Sequence, residues 1–173
     1  MPDRQRAVAT RGSNATGPGG RKDRRLGGAV LGGVAVGIGL SAVMLLGEWL
    51  SGKPSELIEL ERATAARLAI ATPTGPAPAT ATEQAITHGG HLALSALAGV
   101  AYVAAVDEAA DGPAAGAAFG AGFFVAAYGI AGPALGVTPL PWRQPLLRAV
   151  QHPVVHVLFG LAIAASARRA TKG

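Results

Sequence analysis

Residues 26–47 read LGGAVLGGVAVGIGLSAVMLLG, twenty-two positions without one charged side chain. Roughly 18 or more apolar residues are enough to cross the hydrocarbon core of a bilayer as a helix. Charge brackets the run, with Arg24 and Arg25 before it and Glu48 after it. A secretory signal peptide is the rival reading, because basic residues precede apolar ones. Signal peptides, however, carry only about 7–15 apolar residues, and no small-x-small cleavage site follows before Glu48-Trp49. The run reads as a retained first span.

The rest of the chain agrees with that reading. Half of its 173 residues are hydrophobic and only 14% are charged. An ordinary soluble domain carries about 25% charged residues, and a disordered chain would not have a positive mean hydropathy. Mean hydropathy here is +0.35. With no Cys, a disulfide framework and a thiolate metal site are both excluded.

Three further uncharged stretches follow: Gln84 to Val106, Gly112 to Trp142 and Ala149 to Ala167. The second of these exceeds one span of about 20 residues. Gly132-Pro133 and Thr138-Pro139-Leu140-Pro141 break it, so the helix is expected to end near Ala131. The fold class expected is all-α: a polytopic membrane protein of four transmembrane helices with a short interfacial helix between the first two. The spans cover about 26–50, 85–106, 112–131 and 149–167, within a membrane domain 26–168. Residues 1–25, basic and without apolar periodicity, read as a disordered cytoplasmic tail, and 169–173 as a basic C-terminal tail.

Pro54-Ser55-Glu56 is a helix-start pattern, and Leu57, Ile58, Leu60, Ala63 and Leu68 form one apolar side. Arg62 and Arg67, with Glu56, Glu59 and Glu61, supply the wet side of a helix lying along the membrane surface. Thr72 to Thr82 reads as a Pro-, Ala- and Thr-rich linker.

Lys and Arg counts set the orientation. With both termini inside, ten of the fifteen basic residues face the cytoplasm. The expected setting is the bacterial cytoplasmic (inner) membrane, multi-pass, N-in and C-in. The net charge of +5 then serves orientation and contact with the lipid bilayer, not nucleic acid, since no aromatic residues are interleaved with the basic ones. Trp49 and Trp142 fall at the outer interface as belt anchors, and Tyr102 and Tyr128 are expected near the inner side. Small residues repeat at Gly28-x3-Gly32, Gly33-x3-Gly37 and Gly112-x3-Gly116-x3-Gly120. In lipid such spacing lets helices approach closely, within one chain, in a homo-oligomer or against another membrane protein.

From about residue 84 onward several spaced residues carry a resemblance. They are His91, Gly99 and Tyr102; then Pro133-Ala134-Leu135-Gly136, Pro141 and Pro145-Leu146; then His156, Gly160 and Arg168-Arg169. In these, over roughly half its length, the chain resembles the YagU-like bacterial inner-membrane proteins of unknown function. Members often carry a further histidine four residues after the counterpart of Pro145, where this chain has Ala149, whereas His88 and His152 look like additions. The resemblance implies a membrane location and four helices, and brings no assigned chemistry.

The expected topology starts spans two and four at the same, outer face. Their first turns hold all four histidines, His88 and His91 on one, His152 and His156 on the other, and Glu48 closes span one at that face. Imidazole and carboxylate ligands suit a transition metal, and His91 with His156 form the natural pair for bis-histidine haem b. Hence the candidate cofactor residues are His91 and His156, and the candidate metal ligands Glu48, His88, His91, His152 and His156. A proton-responsive cluster and plain interfacial anchoring are the other readings. Pro153 leaves two arrangements open: a helix starting at His152, or one starting near Pro145 with Pro153 inside it.

Other chemistry lacks a pattern. No nucleotide-binding loop, nucleophile elbow or zincin motif appears, and no Asp, Glu, Lys or Arg sits in the middle of a span, where ion transport would need one. The sequence therefore points to a structural or interaction component of the membrane before an enzyme. A metal- or haem-binding, or pH-responsive, membrane protein is the alternative.

Overall fold

The computed structural model describes residues 18–70 and 77–172. Six α-helices follow one another: α1 (Pro18–Ser51), α2 (Glu56–Arg67), α3 (Ala81–Ala105), α4 (Pro113–Phe124), α5 (Gly132–Leu135) and α6 (Leu146–Lys172). A π-helix, Val125–Ala131, joins α4 to α5 without a break. Among the described residues there is no strand. Among the described residues three helical stretches are long and apolar enough to cross a membrane: Gly19–Ser51, Pro113–Leu135 and Leu146–Lys172. The 25-residue α3 is diluted by Glu83, His88, Gly89, Gly90 and His91 in its first half.

α1 is the hub. A Cβ on Gly28 would stand 2.6 Å from Ala170 Cβ, and one on Gly32 2.6 Å from Ser166 Cβ, so this glycine pair lies against α6. A Cβ on Gly37 would stand 2.7 Å from the Ser95 hydroxyl, and Gly33 lies against the Ser95 carbonyl, so the second pair lies against α3. The two spacings read from the sequence therefore serve two different neighbours, both within one chain. Van der Waals contact and not water exclusion drives helix pairing in lipid, and a missing Cβ is what brings the backbones together. Gly116 and Gly160 meet in the same way between α4 and α6, where a Cβ on Gly116 would be 2.8 Å from the Gly160 carbonyl oxygen. Gly112 takes no part; it is the N-cap of α4. These contacts make α3 and α6 antiparallel to α1, and α6 antiparallel to α4.

Several boundaries differ from expectation. Residues 18–25 are not tail but the first turns of α1; residues 1–17 lie outside the described residues. Arg25 enters the bundle, only 5% exposed. Its Nε lies 3.0 Å from Asp111 Oδ2, and its Nη2 donates to the Val106 carbonyl oxygen at 2.9 Å. Tyr102 is no interfacial anchor either. It is fully buried and donates its hydroxyl proton to Asp111 Oδ1 at 2.5 Å. A charge with a partner on every side can enter the end of a bundle; an unpaired one would stay at the surface.

Gly132-Pro133 does not end the helix that starts at Pro113. The helix widens into π turns over Val125–Ala131, with the Gly132 N–H donating back to the Ala127 carbonyl, and continues to Leu135. The wider ladder accommodates a residue that has no N–H and whose ring crowds the carbonyl four residues back. Gly136, at φ +67°, then closes the helix in the left-handed conformation. α6 starts at Leu146 with Pro153 inside it, which decides between the two arrangements for that proline, and it runs through the expected C-terminal tail to Lys172.

The helix expected between the first two spans is present, but it caps the bundle. Ile58 is fully buried, and Arg62, assigned to the wet side, is 8% exposed. Arg62 Nε donates to Glu83 Oε1 at 2.9 Å and its Nη1 to the Ala77 carbonyl at 3.0 Å. Arg67 Nε donates to the Leu135 carbonyl at 2.9 Å. Leu68, expected on the apolar side, is 58% exposed. α2 is thus tied to the start of α3 at one point and to the end of α5 at another.

Candidate functional site: a histidine-lined cavity

Beneath α2, at the end of the bundle opposite the Arg25–Asp111 pair, lies a cavity of about 210 Å³. Val36, Leu40 and Met44 of α1, Leu57 and Leu60 of α2 and Phe159 of α6 give it an apolar wall. His91 from α3 and His156 from α6 both line it, so the structure brings together the pair expected to act jointly.

Each of the two rings is held through its δ nitrogen. The Nδ1–H of His156 donates to the His152 carbonyl oxygen at 2.8 Å, one turn back on the same helix. A carbonyl can only accept, so the proton sits on Nδ1 and the neutral ring keeps its lone pair on Nε2. His91 Nδ1 lies 3.2 Å from the Ser41 hydroxyl of α1, a side chain that is itself buried. Three rings surround His156: Phe123 at 5.8 Å, Phe124 at 5.6 Å and Tyr128 at 5.4 Å between centroids. Tyr128 belongs to the π-helix and lies 4.7 Å from the His152 ring, so it shares the histidine end of the bundle and not, as expected, the inner side. The π turns shift the register of this helix where Phe124 and Tyr128 meet the imidazoles.

The remaining expected ligands are engaged elsewhere. His152 Nε2 lies 3.2 Å from Glu56 Oε2 and ties α2 to α6, with Arg148 3.8 Å from the other oxygen of the same carboxylate. Glu48 accepts from the Ser55 N–H at 2.9 Å and from the Gln84 side chain, which fastens the end of α1 to the starts of α2 and α3. His88 is buried at both ring nitrogens, and among the described residues neither makes a hydrogen bond. Among the described residues no group of three or more His, Cys, Asp or Glu side chains could hold a metal ion. Glu48, His88, His91, His152 and His156 therefore do not form one ligand set. Size bears on haem: an apolar cavity of about 150 Å³ accommodates benzene. At about 210 Å³ this one takes a single substituted ring, not a four-pyrrole macrocycle.

Sequence reading missed Ser41, Glu56, Tyr128 and the phenylalanines of the site. Ser41 carries no signal beyond being a polar residue in an apolar run, and the π turns that place Tyr128 leave no mark in the sequence. Comparison with protein families, curated proteins and solved structures finds no match to this chain.

Proposed function

We propose that the chain is a four-span protein of the bacterial inner membrane, with both termini on the cytoplasmic side, that works as a binding component through the cavity at its outer end. α3 is the fourth span in this reading. Its support is the uncharged stretch from Gln84 to Val106, together with the packing of Gly99 against the α1 backbone at Ala29. The observation that carries the orientation is the sharing of one end of the bundle by Arg21, Lys22, Arg24, Arg25, Arg168, Arg169 and Lys172, since Gly28 packs beside Ala170. The resemblance to the YagU-like proteins fits the same reading. The cavity is lined mainly by apolar side chains with a few polar groups, which favours binding over catalysis.

Because the chain has no Cys, single cysteines report orientation cleanly. A membrane-impermeant maleimide on intact cells should label Gln144→Cys, in the loop before α6, and leave Ala109→Cys and Thr171→Cys unlabelled until the cells are opened. The reverse pattern would put the cavity at the cytoplasmic face and overturn the orientation.

A further inference from the structure

Two imidazoles facing one apolar cavity have no packing purpose that Leu or Phe would not serve better. Among the described residues neither ring makes a hydrogen bond through its ε nitrogen, and neither of these two atoms is sealed from the cavity. An imidazole nitrogen that opens into apolar surroundings calls for a polar partner. The two differ in sense. His156 presents an acceptor at Nε2, because its proton is tied up at Nδ1. Among the described residues the Ser41 hydroxyl meets no other acceptor, so we assign it as donor to His91 Nδ1, which leaves the proton of that ring on Nε2. One acceptor on α6 and one donor on α3 therefore line a cavity with aromatic walls.

We propose that this cavity binds the ring of a lipid-soluble hydroquinone, with one ring hydroxyl donating to His156 Nε2 and the other accepting from His91 Nε2. The proposal rests on the chain being a membrane protein whose cavity lies at membrane depth. Each part of the ligand answers an observation. Volume suits it to a single six-membered ring with small substituents, since about 150 Å³ already takes benzene and about 210 Å³ is open here. Phe123, Tyr128 and Phe159 offer faces and edges to a flat ring. Exposed Leu, Ile and Val side chains on the outward sides of the helices leave a membrane-dissolved compound as the solute that reaches such a site. Finally, the acceptor at His156 selects hydroxyl over carbonyl. A quinone offers two acceptors, and one of them would face a bare lone pair. The site therefore reads the reduced form.

The test uses the full chain in lipid nanodiscs under anaerobic conditions. Decylubiquinol, decylubiquinone and decylbenzene are titrated separately, and binding is followed by the rise in melting temperature at saturation. Expected is saturable binding of decylubiquinol, at least tenfold tighter than decylubiquinone, with decylbenzene weaker still, because a site built around a hydroxyl penalises analogues that lack it by tenfold or more. His156→Phe should erase the preference for the reduced ring, and Ala127→Trp, which fills the cavity, should abolish binding. Equal affinity for all three compounds, tighter binding of the quinone, or a preference that survives His156→Phe in a folded variant would overturn the assignment. If cysteine labelling gives the expected orientation and decylubiquinol does not bind, the ligand assignment falls and the membrane reading stands. If binding is as expected and the labelling is inverted, the ligand assignment stands and the orientation falls.

Discussion

Arg25 Nε stands 3.0 Å from Asp111 Oδ2, the two side chains only 6% and 5% exposed. Tyr102 shares the carboxylate, and the guanidinium carbon lies 5.8 Å above its ring. Three elements meet there: the start of α1, the end of α3 and the turn into α4. Replacing one partner of a buried pair leaves the other charged and unpaired, which costs about 3–5 kcal/mol. Asp111→Ala is therefore expected to lower the detergent melting temperature by roughly 6–20 °C, at about 2–4 °C per kcal/mol for a chain of this size. Arg25→Met combined with Asp111→Leu should recover most of the loss, since an apolar pair needs no partner. Equal damage in the single and double variants, read by thermal unfolding, would show that the pair is not coupled.

Glycines in these helices fall into two classes with opposite expected responses. A Cβ at Gly99 would lie 2.6 Å from the Ala29 carbonyl oxygen, whereas one at Gly39 meets nothing within 4 Å. Gly99→Ala forces α1 and α3 apart and should destabilise by about 1–3 kcal/mol, the usual range for overpacking. Gly39→Ala adds helix propensity worth up to about 1 kcal/mol and disturbs no neighbour. Differential melting of the two variants checks this; a loss at Gly39 as large as that at Gly99 would refute the packing described.

How much of this was legible in the sequence depends on what each feature needs. Uncharged length is a local property, so Leu26–Gly47 announced a span directly, as did the apolar run around Ala149–Ala167. Glycine spacing announced close packing, because the absence of a Cβ has one main use in lipid. Partners were not legible. Arg24 and Arg25 look alike in the chain, and only the fold turns Arg25 towards Asp111. Thr80-Ala81-Thr82-Glu83 did carry a legible sign, the pattern of a capping box, which places the start of α3 at Ala81, ahead of the uncharged stretch. Hydrophobicity alone passed over it because Glu83 is charged. The histidine pairing was half-legible: topology brought His91 and His156 to one end, while Ser41, Glu56 and the π turns settled what each ring does.

Glu83 offers a pH test outside the membrane-spanning segments, in the first turn of α3. Hydrogen bonds from Arg62 chiefly, then the Thr80 N–H, hold its carboxyl down to about 2 from an ordinary 4.5. A carboxyl whose folded value is depressed stabilises the fold above its unfolded value, and that contribution is lost as pH falls towards the folded value. The tie between α2 and α3 should therefore weaken between pH about 4.5 and about 2, with no change from this group above that window. Melting temperature measured down that range should fall more steeply in the parent than in Glu83→Gln. Parallel curves would mean that the contact with Arg62 adds nothing to stability.

His88 yields the last prediction, and its sign is unusual for a buried residue. Both of its ring nitrogens are buried and neither makes a hydrogen bond, while His91, one turn along the helix, is held by Ser41. A neutral imidazole always carries one N–H and one lone pair, so His88 forfeits the hydration of two groups for no bond in return. Leaving buried polar groups unsatisfied costs about 1–3 kcal/mol, and an apolar residue of similar volume recovers that cost. His88→Leu should thus raise the melting temperature by about 2–8 °C, taking about 1–2 kcal/mol at about 2–4 °C each. His91→Leu should not raise it, because that change strands the Ser41 hydroxyl in a buried contact. Thermal unfolding of the two variants beside the parent separates the cases. A clear loss of stability in His88→Leu would mean that its imidazole has a bonding partner after all.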